Sequence, residues 1–182
     1  MKESLLKKVL RRIKRLFNPE SEIERYRRLG VRIGKNCVFY KANLDYIAPH
    51  LITIGNDVTI THALVLVHDA TTKRALGYTK LGRVIIGNNV FVGWGATILA
   101  NIKIGDNVII GASSVVTKDV PDNSVVAGNP ARIVSSYNDY IIKMRDKMDG
   151  AYFSDKLPSE WTDEDKMIQQ KVFRNGNWGY IK

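Results

Sequence analysis

Residues 84–121 read VIIGNNVFVGWGATILANIKIGDNVIIGASSVVTKDVP, and inside this stretch an aliphatic side chain returns every sixth residue, at Ile86, Val92, Ile98, Ile104, Ile110 and Val116. Neither an α-helix, with its 3.6-residue turn, nor a strand, with its alternation of two, makes such a period. A six-residue repeat is the mark of a parallel β-helix, in which short strands alternate with tight corners and each rung buries its apolar side chains against the next. Gly87, Gly93, Gly105 and Gly111 follow four of the aliphatic positions. Glycine suits a sharp corner because it takes positive φ without a Cβ clash.

The phase continues upstream through Ile54, Ile60 and Leu66, and more faintly through Ile33 and Phe39. If three hexads make one turn, the spacing from Ile54 to Ile86 carries an insertion of 14 residues, and that from Ile33 to Ile54 an insertion of 3. The expected fold is an all-β solenoid of about four coils over residues 31–134. It carries a loop insertion near 69–83 and is flanked by a basic helical segment, 1–30, and a helical extension, 135–182. In that extension, 136–148 and a segment following Thr162 have helical patterning, and Thr162 stands three before Asp165 as in a capping box. The aromatic residues Trp161, Phe173, Trp178 and Tyr180 imply that the tail folds back on the coils or on a neighbour.

The net charge of +10 is local: residues 1–35 hold 12 Lys and Arg against 4 Glu, whereas residues 36–182 hold 16 against 14. In residues 1–17, Leu5, Leu6, Val9, Leu10, Ile13, Leu16 and Phe17 recur at helical spacing with Lys7, Lys8, Arg11, Arg12, Lys14 and Arg15 between them, and Asn18-Pro19 is a stop. This pattern suits a helix lying in an anionic membrane interface. It equally suits a helix packed on the solenoid or on a neighbouring subunit. A nucleic-acid partner is not expected, because no aromatic platform or base-reading motif accompanies the charge. A single cysteine, Cys37, falls in the repeat phase and reads as a core residue; with no disulfide and no apolar run of membrane-spanning length, a cytoplasmic protein is expected, with peripheral attachment to the inner face of the membrane through residues 1–17 as a further option.

The block from Ile104-Gly105-Asp106-Asn107 to Thr117-Lys118-Asp119-Val120-Pro121, followed by Ala127-Gly128-Asn129-Pro130-Ala131, resembles the hexapeptide-repeat acyltransferases, in particular their sugar and polysaccharide O-acetyltransferase branch. That resemblance implies a left-handed β-helix, a homotrimer, acetyl-CoA as co-substrate and a sugar or glycan acceptor. It places the general base at His68, immediately ahead of the long insertion. Coenzyme A contacts fall on Trp94, Ala112, Thr117, Lys118 and Arg132, where the two cations would meet phosphate oxygens. Asn43 roughly matches an acceptor-binding asparagine, and His62, which sits in the same phase as His68 one hexad earlier and should project from an adjacent face, either supports or contacts the acceptor or is a plain surface histidine. Asp69 is poorly placed to orient the imidazole, since adjacent strand residues point to opposite sides; a backbone carbonyl is the expected partner.

Two other functions compete. A γ-class carbonic anhydrase shares this fold and binds zinc through three histidines, but His50, His62 and His68 are spaced by twelve and six, whereas a resemblance to that class calls for a close pair four residues apart and a third far upstream. A non-catalytic scaffold would need neither the histidine beside an insertion nor the Thr117-Lys118 and Asn129-Pro130 elements.

Overall fold

The computed structural model describes residues 20–174, 176 and 178–181. The expected amphipathic helix of residues 1–17 lies outside the described residues. The chain divides into two compact units, ending and beginning at Tyr137 and Asn138.

Helix α1 (Glu22–Arg28) opens the first unit, its N-terminus closed by a reciprocal capping box between Ser21 and Glu24. Its buried Tyr26 donates its hydroxyl to the Ala42 carbonyl at 2.8 Å and accepts from the Leu44 amide at 3.1 Å, sealing the start of the core. Strands then follow in threes: β1 (Arg32–Ile33), β2 (Val38–Tyr40), β3 (Asn43–Leu44), then β4 (Ile52–Ile54), β5 (Thr59–Thr61), β6 (Leu64–Val65). After a small antiparallel pair, β7 (His68–Asp69) and β8 (Lys80–Leu81), the triplets resume with β9 (Val84–Ile86), β10 (Val90–Val92), β11 (Thr97–Ile98), β12 (Ile102–Ile104), β13 (Val108–Ile110) and β14 (Val115–Val116). Every third strand joins the same parallel sheet, giving the orders β1-β4-β9-β12, β2-β5-β10-β13 and β3-β6-β11-β14. We call these the first, second and third sheets. The second is extended by β15 (Ser124–Gly128), parallel, and β16 (Ala131–Ser136), antiparallel.

In register, Ile33, Ile54, Ile86 and Ile104 form one column. Phe39, Ile60, Val92, Ile110 and Val126 form a second. The third is Leu44, Val65, Ile98 and Val116. Most of these side chains are completely buried, so the six-residue period is the spacing of one inward side chain per sheet.

Two expectations need correcting. Gly34, Gly55, Gly87 and Gly105 do not have positive φ; the left-handed residues lie two further on, at Asn36, Asp57, Asn89 and Asn107. The glycines are required by proximity: a Cβ on Gly55 would sit 2.5 Å from the carbonyl oxygen of Gly87, and one on Gly87 2.7 Å from that of Gly105. Stacked beside them, Asn56 accepts from the Lys35 amide, Asn88 from Asn56 and Asp106 from Asn88, at 2.9, 2.9 and 2.6 Å. A second ladder runs from Asn89 through Asn107 to Asn123, each side-chain amide donating to the next at 2.8 and 3.1 Å. Asn and Asp fill this corner because they tolerate the left-handed region and bond locally.

The second correction concerns Leu66. The residue that pairs with Ile98 is Val65, so the corner after Ile60 spans five residues instead of six. The same shortening separates Phe39 from Leu44. Lys41 and His62 make these tight corners with φ of 52° and 46°, where Gly95 stands in the next coil with φ of 71°.

In the second unit, α3 (Tyr137–Asp146), which starts at the boundary, is followed by β17 (Tyr152–Ser154), α4 (Asp163–Phe173) and β18 (Gly179–Ile181); α2 is the short helix Lys73–Leu76 of the first unit. Thr162 caps α4 together with Asp165 in the box that their spacing anticipates. The tail aromatics pack within this unit, Phe153 stacking on Tyr180 and Tyr152 meeting Phe173 edge-on while β17 pairs with β18. Among the described residues no helix is long and apolar enough to cross a membrane.

Candidate active site

Three corners link the three sheets, and both interruptions of the repeat emerge at the corner between the third sheet and the first. The smaller, residues 45–51, contains a 3-10 turn at Pro49–Leu51. The larger is the β7–β8 hairpin, tied at its root by the Gly82 amide donating to Val67 at 2.9 Å and closed by α2, which ends on left-handed Gly77. A Lys80–Asp69 ion pair spans its strands. Hydrogen bonding to Lys80, with further bonds from Thr71, holds the Asp69 carboxyl well below the usual range. Between this hairpin and Leu99, Ala100 and Asn101 of the following coil lies an open cleft of about 860 Å³, with His68 in its wall.

His68 is held firmly. Its Nδ1 lies 2.5 Å from Oδ2 of Asp45, and that same oxygen accepts from the backbone amides of Val67 and His68 at 2.9 and 3.1 Å. Oδ1 of Asp45 accepts from the Ile47 amide at 2.9 Å. The Asp45 side chain is completely buried, while that of His68 keeps 27% of its surface exposed. Burial alone would raise the Asp45 carboxyl, but the bonds from Ile47, Val67 and His68 outweigh it and bring the group below its ordinary value. Asp45 is therefore a carboxylate at neutral pH. An ionised partner on Nδ1 fixes the proton there and leaves Nε2 as the basic nitrogen. The expected orienting carbonyl is thus replaced by a side chain 23 residues upstream. Asp69, bonded to Lys80, plays no part in it.

The remaining candidates divide between corners. His62 does not share the environment of His68. It lies at the corner between the second and third sheets, exposed, with its ring stacked on Trp94 at 4.5 Å between centroids and 11° between planes. Ala112 occupies that same corner one coil beyond Trp94, where a Cβ on Gly93 would meet its amide nitrogen at 2.6 Å. Thr117 and Lys118 are at the His68 corner, further along the solenoid. Lys118 and Arg132 come together, lining a cleft of about 320 Å³ with Asp119, Ala131 and Ile133. Asn43 is exposed on β3, two residues before Asp45. His50 is exposed in its 3-10 turn, and Cys37 is only partly buried, its thiol 3.2 Å from the Gly55 carbonyl. Among the described residues no group of three or more His, Cys, Asp and Glu side chains gathers to hold a metal.

Residues 83–118 match the family described as bacterial transferase hexapeptide, six repeats. The chain is 41% identical over 133 residues to Protein CapG of Staphylococcus aureus, covering 69% of this chain and 77% of that one. The chain belongs to the bacterial hexapeptide transferase family. Two solved structures superimpose on it. A hexapeptide-repeat acetyltransferase of Vibrio cholerae, solved in complex with acetyl coenzyme A, is 30% identical with a TM-score of 0.53, covering 59% of this chain and 61% of that one. A maltose O-acetyltransferase of Clostridium difficile is 30% identical with a TM-score of 0.51, covering 71% and 84%. A buried carboxylate orienting an imidazole at the wall of an open cleft is an arrangement that can take a proton from a bound hydroxyl.

Proposed function

We propose that this chain transfers an acetyl group from acetyl-CoA to a hydroxyl of a sugar, in a surface polysaccharide or its lipid-linked precursor, with His68 as general base. The observation that carries the reading is the short contact between His68 Nδ1 and the buried Asp45 carboxylate, which leaves Nε2 free to accept a proton. In the step itself the acceptor oxygen forms a bond to the thioester carbonyl carbon as its proton passes to Nε2. The carbon–sulfur bond then breaks, and the imidazolium returns the proton to the leaving thiolate. Asp45 stabilises the imidazolium between the two events.

Trp94 and Ala112 stand at a different corner of the triangular section from His68. We infer a homotrimer in which His68 of one chain faces the coenzyme A groups of its neighbour, with Lys118 and Arg132 taking phosphate oxygens. This reading takes the solenoid as left-handed with about four coils, in line with the family resemblance. Asn43 and His62 would contact the acceptor, and residues 1–17 would hold the protein at the inner face of the membrane, which co-sedimentation of intact and truncated protein with anionic liposomes tests. The decisive assay is release of free thiol from acetyl-CoA across a panel of sugars. Acceptor-dependent release that His68→Ala removes supports the reading, and release indifferent to that substitution overturns it.

A further inference from the structure

We propose that the acceptor sugar carries a phosphate ester, as a glycosyl phosphate or diphosphate, and that Lys73, Arg74 and Arg83 of the hairpin beside His68 receive it. The inference rests on the acetyl-transfer reading and adds the chemical class of the acceptor.

Beyond residue 35, the net positive charge of the first unit is concentrated in one place. Within residues 69–83 stand Lys73, Arg74, Lys80 and Arg83 against the single Asp69, whereas residues 36–68 and 84–137 together hold four Lys and Arg against five Asp. Lys80 is committed to Asp69 across the hairpin. Lys73, Arg74 and Arg83 are exposed, and no carboxylate forms an ion pair with any of them among the described residues. They do not hold the hairpin together. That is done by the Thr72 hydroxyl donating to the Tyr78 carbonyl at 2.9 Å, the left-handed turn at Gly77 and the backbone bond from Gly82 to Val67. Three like charges on so short a segment repel one another, and an anion between them removes that repulsion.

Their position makes the anion part of the acceptor. Thr71 and Gly82, which line the His68 cleft, lie two residues before Lys73 and one before Arg83. The cleft of Lys118 and Arg132 is separate and is left for the phosphates of coenzyme A. Two guanidinium groups and an ammonium favour phosphate oxygens, which accept several charge-assisted hydrogen bonds at once. Soluble nucleotide sugars and lipid-linked sugar diphosphates share this chemistry.

The test is calorimetric titration of the full-length protein, with coenzyme A saturating so that its own phosphate site is filled. The probes are N-acetylglucosamine, its 1-phosphate, its uridine diphosphate ester, its polyprenyl diphosphate ester in detergent micelles, and glucuronate. The phosphate-bearing probes should bind about tenfold or more tightly than the neutral sugar. In Lys73→Gln/Arg74→Gln/Arg83→Gln, and in part in Arg83→Gln alone, that advantage should vanish with coenzyme A affinity unchanged. Tightest binding of the uridine ester identifies a soluble acceptor, and that of the polyprenyl ester a membrane-borne one. Equal binding of neutral and phosphorylated sugar, no binding of any phosphorylated probe, glucuronate matching the phosphates, or a loss of coenzyme A affinity in the triple variant each overturns the proposal. Failure of the unmodified protein to bind coenzyme A would instead overturn the acetyl-transfer reading beneath it.

Discussion

The corner between the first and second sheets and the corner between the third and first belong to the same solenoid yet obey different rules. At the first, every coil turns on Gly-Asx or Gly-Lys followed by a left-handed Asn or Asp, and side-chain oxygens of one coil accept amides of its neighbour. Nothing is inserted there. At the other, residues 45–51 and 69–83 break the period, and the imidazole of His68 and the carboxylate of Asp45 meet at the break. Regular corners close their own hydrogen bonds and leave no group free for chemistry. A corner enlarged by insertion can hold a buried charge on one side and an open cleft on the other.

Substitutions can separate the two roles. The largest effect should come from His68→Ala, which lowers kcat by roughly 10² to 10⁴ while coenzyme A affinity, measured by calorimetry, stays the same; an effect confined to KM would move the base elsewhere. Asp45→Asn should follow, with kcat down by roughly ten- to a hundredfold and the pH–rate profile altered, because the fixed tautomer and the stabilised imidazolium are both lost. Unchanged turnover and pH dependence in this variant would reduce Asp45 to a structural residue. Since its folded-state carboxyl is depressed, the stability it contributes is complete above the ordinary carboxylate range and is lost as pH falls through the depressed value. Asp45→Ala should therefore erase an acid-side component of the denaturation curve and cost about 1–3 kcal/mol at neutral pH through its unpaired amide donors.

At the regular corner the effects should be on stability alone. Gly87→Ala drives a Cβ against the Gly105 carbonyl and should cost about 1–3 kcal/mol in urea unfolding, with kcat of the surviving folded enzyme intact. Asn107→Ala, which breaks the ladder and leaves alanine at φ of 54°, should cost roughly 1 kcal/mol. Asn107→Gly should recover part of it. A fall in kcat for either residue, without unfolding, would mean that the two corners are not independent.

The regular part of the molecule was legible in the sequence because burial there is periodic: Ile86, Val92, Ile98, Ile104, Ile110 and Val116 are the inward side chains. The period misleads at Leu66 because a left-handed histidine shortens the corner by one residue, and an isolated His-Ala pair does not announce that conformation. This places His62 in a false equivalence with His68. His68 itself was visible through its position before the long insertion. Asp45 was not, since an orienting carboxylate has no period and its contacts reach across a coil. One signal was available. Asp45 stands where the following coils place Leu66 and Leu99, and a charge in an apolar column needs a buried partner.

A stack of near-identical parallel rungs is a template for its own continuation, since each terminal strand offers the next molecule an unpaired row of amides and carbonyls. Strand β16 runs backwards on β15, with a register shift between Val125 and Val126, and at the opposite end Tyr26 bonds to Ala42 and Leu44. These two elements act as stoppers on a sequence that would otherwise favour end-to-end polymerisation. Deleting β16 should make the protein grow fibres.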